Sequence, residues 1–433
     1  MKTAIVNALV FDGERPIGPA GVLVGDGRIL AVGGDMPSDA EVVDAAGATL
    51  LPGLIDAHVH TSEDSLALAL TFGVTTELEM QGGHTRHNRA HIEDDDTLAD
   101  VRSAGFGLTA PGGHPSELIP DDFDIRPFIG RGGRASAGDG APDDRWQAGP
   151  PPQPHVTTPE EAVAWIPRLV ASGSDYIKFM VDDGTVEGHP GLPTLDQATL
   201  DAGVAEAHRH GMLAVAHALT ADATRMAIEA GVDGLAHLFM DRPHTPEIIR
   251  MIADSGAFVV PCVCLNASLM GMTGEALADD PRVSRRLDDR WDKTLRGSFN
   301  RYPQGRLDDV LASVAALHEA GVDVLVGTDT SIPVPFLGGL AHGASVHHEL
   351  GYLVRAGLTP SAALHAATAA TARRFRLDDR GRIASGLRAD LLLVDGDPTA
   401  AIGDTLNIRA VWRRGARLAG EPAHAQARPF RTA

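Results

Sequence analysis

Leu50-Leu51-Pro52-Gly53-Leu54-Ile55-Asp56-Ala57-His58-Val59-His60 is the stretch on which the fold of this chain turns. Its apolar run has the length of a buried strand and falls short of the ~18 apolar residues a membrane span needs. Side chains alternate faces along a strand, so residues two apart point the same way. His58 and His60 therefore leave one strand end together and can hold one metal ion. A His-x-His pair alone is weak, and its meaning rests on what the ends of other strands supply.

Working outward, the pattern changes on either side of residue 51. Residues 1–50 alternate short β-like pieces (Ala4–Leu9, Gly21–Val24, Ile29–Val32) with Gly and Asp turns, as a small sheet does. Beyond it, apolar strand-like runs alternate with amphipathic helical stretches, the signature of a parallel α/β architecture. Eight strands are predicted: Thr49–His60, Val74–Met80, Phe106–Thr109, Tyr176–Val181, Leu213–His217, Gly234–Leu238, Phe258–Leu265 and Val322–Thr328. Thr158-Pro159-Glu160-Glu161 reads as a capping box, Thr194-Leu195-Asp196-Gln197 repeats its logic, and Thr245-Pro246 and Thr359-Pro360 open further helices. Pro167 falls inside a predicted helix. After residue 376 the chain returns to short β pieces (Gly381–Ile383, Ala389–Val394, Ala410–Trp412) expected to rejoin the N-terminal sheet. The expected fold is α/β, a (β/α)₈ TIM-type barrel over residues 51–376. Residues 1–50 and 377–433 together form a small β-sandwich domain.

Two segments break the rhythm. Residues 110–157 are rich in Gly, Pro and Asp, and residues 266–305 are polar with scattered aromatics. Both follow strands and are expected to rise from the catalytic face as lids or binding loops.

Composition narrows the class. A chain of 433 residues with 43% hydrophobic and 22% charged content suits a soluble globular protein. Its net charge of −21 argues against a nucleic-acid partner, since phosphate binding needs clustered Lys and Arg. Met1-Lys2-Thr3-Ala4-Ile5-Val6 does not resemble a signal peptide, no membrane-spanning run is present, and two cysteines make no disulfide framework. A cytoplasmic protein without a membrane partner is expected.

In a barrel the catalytic residues stand at the C-terminal ends of the strands. There the chain offers His58 and His60 on strand one, Lys178 on strand four, His217 on five, His237 on six and Asp329 on eight. Burying Lys or Asp in apolar strands is costly unless the group is paired or coordinated, so the placement itself points to function.

This order resembles the amidohydrolase superfamily, specifically its binuclear, carboxylated-lysine branch. The likeness runs through Leu51–His60, Gly327-Thr328-Asp329-Thr330, Gly357-Leu358-Thr359-Pro360 and Gly386–Asp395. Within that branch it looks most like imidazolonepropionase-like prolidases and ochratoxin-type amidases. Gly112-Gly113-His114 matches a loop pattern of that group, leaving His114 between substrate binding and loop structure. The resemblance implies two divalent metal ions, Zn²⁺ foremost, with His58, His60 and Asp329 holding the buried one and His217 and His237 the more exposed one. Lys178 would be carboxylated and bridge them, and Asp329 would act as general base and acid. The substrate would be a small-molecule amide (peptide-like, N-acyl amino acid or lactam), and the assembly a homo-oligomer. The alternative is a mononuclear deaminase or imidazolonepropionase-type ring hydrolase, which has no need of a bridging Lys178.

Other residues read more plainly. His342, His347, His348 and His365 are assigned structural or surface roles, and Cys262-Val263-Cys264 strand packing. Asp182, Asp183 and Glu187 could read a substrate cation but read better as a solvated acidic loop. Glu77 and Glu79 share one strand face and either shape the pocket floor or pair with Arg. Arg126, Arg131 and Arg134 are open between a substrate carboxylate and surface ion pairs.

Overall fold

The computed structural model describes residues 2–118 and 153–418. Arg126, Arg131 and Arg134 lie outside them. The chain opens with β1 (Lys2–Phe11), β2 (Pro16–Gly25), β3 (Arg28–Val32), β4 (Glu41–Asp44) and β5 (Thr49–Pro52). There follow β6 (Leu54–Val59), β7 (Val74–Glu79), β8 (Asp100–Ser103), β9 (Ile177–Met180), β10 (Ala214–His217), β11 (Gly234–Ala236) and β12 (Phe258–Val260). Near the C-terminus lie β13 (Leu391–Val394), β14 (Ile408–Arg413) and β15 (Ala416–Arg417).

The terminal strands form one eight-stranded sheet in the order β15-β14-β13-β5-β1-β2-β3, with β4 on β1. The C-terminal pieces thus rejoin the N-terminal sheet, through the antiparallel β13–β5 pair. Along β13 the side chains divide by parity. Leu391 and Leu393 enter a small core with Ile5, Val24, Leu50 and Trp412, whereas Leu392 and Val394 enter the main core. Period-two alternation with both faces buried joins this sheet to the rest of the molecule.

Among the described residues, the remaining seven strands pair only in parallel, in a three-stranded sheet β6-β7-β8 and a four-stranded sheet β9-β10-β11-β12. Isolated parallel bridges join their edges: Leu108 to Phe179, Val259 to Val324, and Val59 to Thr330. Ala57 N–H also donates to the Val326 carbonyl at 2.8 Å.

Several predicted elements need correction. The single strand Thr49–His60 is two, β5 and β6, broken at Gly53. A Cβ at Gly53 would sit 2.1 Å from Thr75 Oγ1, so only glycine lets the chain cross between sheets there. The third strand starts at Asp100, and Leu108 is only a bridge. Residues 322–328 carry a bridge rather than a regular strand. The seventh strand stops at Val260, and Cys264 lies in a helix, Val263–Leu269. Residues 266–305 are not an open loop. They hold short helices Glu275–Ala278, Pro281–Ser284 and Asp289–Leu295, packed through Val283, Leu287, Trp291 and Leu295.

Helix starts follow their caps. Thr158, Thr245 and Thr359 each accept a backbone N–H at the expected positions, but the helix Gln197–Arg209 is capped by Asp196 and not by Thr194. Pro167 does lie inside the helix Pro159–Ala171. Among the described residues no helix is long and apolar enough to cross a membrane.

Candidate metal centre

Strand alternation carries Asp56, His58 and His60 to one end of β6. Buried Asp56 ties that strand to the segment before Asp329. Its Oδ1 accepts from Thr328 N–H at 3.0 Å and its Oδ2 from Thr328 Oγ1 at 2.7 Å. Burial, then the neighbouring Glu77, pushes the Asp56 carboxyl well above the usual carboxylate range. Sequence reading gave Asp56 no role.

Asp329 adopts a left-handed φ of 58°, which turns its carboxylate back over the strand end. Oδ1 lies 2.9 Å from His60 Nε2 and 3.1 Å from His58 Nε2, and Oδ2 lies 3.8 Å from His237 Nε2. Burial opposes its charge, but the surrounding histidines hold the carboxyl well below its ordinary value. Burial, then Lys178, pushes His58 down to about 3, so its imidazole is neutral. Neutral imidazole and carboxylate are the ligand forms of these groups.

His237 follows β11 at a φ of 96°, and neither of its buried ring nitrogens has a hydrogen-bond partner among the described residues. Its ring centroid is 4.6 Å from that of His58 and 4.7 Å from that of His217. Burial first, then the neighbouring histidines and Lys178, holds both His217 and His237 well below the usual imidazole range. Lys178, 1% exposed, rises from β9 into this group. Gly107 makes room for it, since a Cβ there would be 3.0 Å from the lysine Cγ. Burial lowers the Lys178 amine to about 8, with Asp329 and Cys262 pulling the other way. All six predicted metal ligands are thus near neighbours at one end of the parallel strands.

His114, 5% exposed, stacks on His217 with ring centroids 4.1 Å apart. Its Nδ1 lies 2.7 Å from Glu117 Oε1 and 3.0 Å from Glu187 Oε2. Burial disfavours its charge, but Glu187 and Glu117 raise the imidazole to about 10. Asp182 and Glu187 are buried beside His217, not solvated as expected. Burial, then Glu187, raises Asp182 to about 8. It accepts hydrogen bonds from Leu219 N–H and Thr220 Oγ1.

Cys262, expected in a strand, instead adopts a φ of 49°, with Sγ 3.7 Å from His58 Nδ1. Three sets of ligand atoms lie within 4.8 Å of one another among the described residues: His58-His60-Asp329, His114-Glu187-His217 and His58-His237-Cys262. Glu77 and Glu79 pair with histidines rather than Arg, Glu77 with His342 at 2.8 Å and Glu79 with His84 at 2.7 Å. His347 and His365 make the expected structural contacts, with Thr405 and with the Gly13 carbonyl.

The family described as "Amidohydrolase family" matches residues 49–418. An imidazolonepropionase of Anaeromyxobacter sp. (strain K) is 28% identical over 428 residues, covering 89% of this chain and 88% of that protein. The A. niger ochratoxinase structure superposes with a TM-score of 0.72 at 21% identity, over 99% of each chain. A Xaa-Pro dipeptidase structure with bound methionine gives a TM-score of 0.69 at 22% identity, over 97% of this chain and 100% of that one.

Proposed function

Because the chain belongs to the amidohydrolase family, we propose that it is a two-metal hydrolase that cleaves an amide C–N bond in a peptide-like, N-acyl amino acid or lactam substrate. It is a hydrolase acting on carbon–nitrogen bonds. In this reading the parallel strands and their bridges form a closed (β/α)₈ barrel.

One observation carries the metal assignment. Among the described residues, His217 Nε2, both ring nitrogens of His237, and Asp329 Oδ1 are buried without a hydrogen bond, and they converge around Lys178. Each such atom costs about 1–3 kcal/mol when left unpaired, and a divalent cation satisfies several at once. His58, His60 and Asp329 would hold one ion, and His217 and His237 the other. Lys178, carboxylated by CO₂ with release of a proton, would present an anion to both. Uncarboxylated, its ammonium would repel them. Zn²⁺ suits this donor set.

Bound metals would supply an acidified water and a polarised carbonyl. Asp329 would accept a proton from the attacking water and deliver it to the leaving nitrogen. The products are a carboxylate and an amine, or an opened ring.

Likeness to imidazolonepropionase supports the second reading, a one-metal ring hydrolase. Lys178 favours the first, since a single ion needs no bridge.

Metal analysis combined with a hydrolysis screen separates them. The screen spans N-acyl amino acids, Xaa-Pro dipeptides and lactams, with and without added Zn²⁺. Two ions per chain and metal-dependent amide cleavage are expected. One ion with activity confined to rings would overturn the two-metal reading.

A further inference from the structure

Glu187 and His217 face one another across a gap that no hydrogen bond closes. Glu187 Oε1 lies 3.8 Å from His217 Nε2, and that nitrogen is buried and unpartnered. The other carboxylate oxygen, Oε2, lies 3.0 Å from His114 Nδ1 but receives no hydrogen bond. One proton explains why. The His114 Nδ1–H group donates to Glu117 Oε1 at 2.7 Å and has nothing left for Glu187. Glu117 Oε2 is likewise buried and unsatisfied.

The pieces come from separate elements. His114 and Glu117 follow the Leu108 bridge, Glu187 lies beyond β9, and His217 ends β10. Ligand atoms of His114, Glu187 and His217 lie within 4.8 Å of one another, and all three residues are buried. Donors on one zinc-sized ion stand roughly 3–4 Å apart, given metal–ligand bonds near 2.0–2.1 Å. Asp182 Oδ2, 3.4 Å from His217 Nε2, is the rival donor. Both its oxygens already accept from the turn after β10, Oδ2 from Leu219 N–H and Oδ1 from Thr220 Oγ1. Asp182 therefore positions that turn.

We propose that Glu187 is a further protein ligand of the more exposed metal ion, bound on the His217 side. This rests on the two-metal reading given above. It adds a second anionic donor beside the two histidines and the carboxylated Lys178, and it raises affinity for that ion selectively.

The test is metal titration of the purified full chain after chelation, followed by calorimetry and by the visible spectrum of Co²⁺. Wild-type protein should bind two ions. Glu187→Gln should keep the first and bind the second about 10–100-fold more weakly, with an altered Co²⁺ spectrum. Glu187→Asp should recover part of the loss, and it serves in place of the Gln variant should that one not fold. Two ions at wild-type affinity with an unchanged Co²⁺ spectrum in Glu187→Gln would overturn the proposal while leaving the two-metal reading intact. The same result with a raised KM confined to amine-bearing substrates would assign Glu187 to a substrate cation instead. A wild-type chain that takes up one ion would remove the two-metal reading itself.

Discussion

Asp329 meets His58 twice: its backbone N–H donates to the His58 carbonyl at 2.8 Å, and its Oδ1 lies 3.1 Å from His58 Nε2. The left-handed backbone at Asp329 makes both contacts possible, and Asn tolerates that conformation better than Ala. Asp329→Asn should therefore fold normally but lose the group that carries the proton. Hydrolysis should fall about 10²–10⁴-fold, as for loss of a general base. Steady-state kinetics beside a thermal melt checks this. Activity within a few-fold of wild type would remove Asp329 from the proton path.

Lys178 provides a second prediction, through pH. Its amine is lowered to about 8, so below that pH the neutral, CO₂-reactive form grows about tenfold per unit and then levels off. Metal-free protein held in CO₂-free buffer should load two ions slowly. Added bicarbonate should speed loading, and at equal dissolved CO₂ more strongly at pH 8 than at pH 6. Lys178→Ala should show no bicarbonate response and no metal-dependent turnover. If that variant kept both ions and full activity, the bridging role would be wrong.

The parts of the site legible in the sequence were those set by local periodicity. His58 and His60 stood out because alternation along β6 fixes their direction, and Lys178 because a charge interrupts an apolar strand. Glu187 and Glu117 did not, since their burial depends on His114 and His217 arriving from other elements. Cys262 was misread for a related reason. Val259-Val260-Pro261-Cys262-Val263 has the composition of a strand, yet the helix begins at Val263. Glu349, from the helix Ala344–Arg355, forces that turn by accepting N–H bonds from Val263 at 2.9 Å and Cys264 at 2.8 Å. Nothing near Cys262 in the sequence announces a carboxylate more than eighty residues away.

Asp100 anchors the C-terminal segment at the opposite kind of site, one of pure stability. It is buried on β8 among arginines, bonded to Arg380 and, at 2.8 Å, to Arg388. Burial opposes its charge, but Arg380, Arg102 and Arg388 hold the carboxyl well below 3.8. A depressed carboxylate stabilises fully above its unfolded pKa and loses that contribution as pH falls through the folded value. Asp100→Asn should cost about 3–5 kcal/mol at neutral pH, because it strands buried guanidinium groups. Denaturant melts should show a constant gap from wild type above about pH 5 that narrows below about pH 4. A gap that widened in acid would contradict the assignment.

His342 and Glu77, both fully buried, bind the turn after Asp329 to β7. His342 Nδ1 lies 2.8 Å from Glu77 Oε1 and Nε2 lies 3.1 Å from the Ser331 carbonyl. The ring thus spans the two groups and ties them together. Thr61 Oγ1 donates to the other Glu77 oxygen at 2.5 Å. His342→Leu would leave Glu77 Oε1 buried without its partner and should destabilise by about 1–3 kcal/mol. Adding Glu77→Leu removes the stranded polar group, so the double variant should be less destabilised than the two single losses summed. Because Ser331 is two residues from Asp329, His342→Leu should also lower turnover more than it raises KM. A double-mutant cycle by urea denaturation, read beside kinetics, tests both parts, and strict additivity would show that the two side chains do not act as a pair.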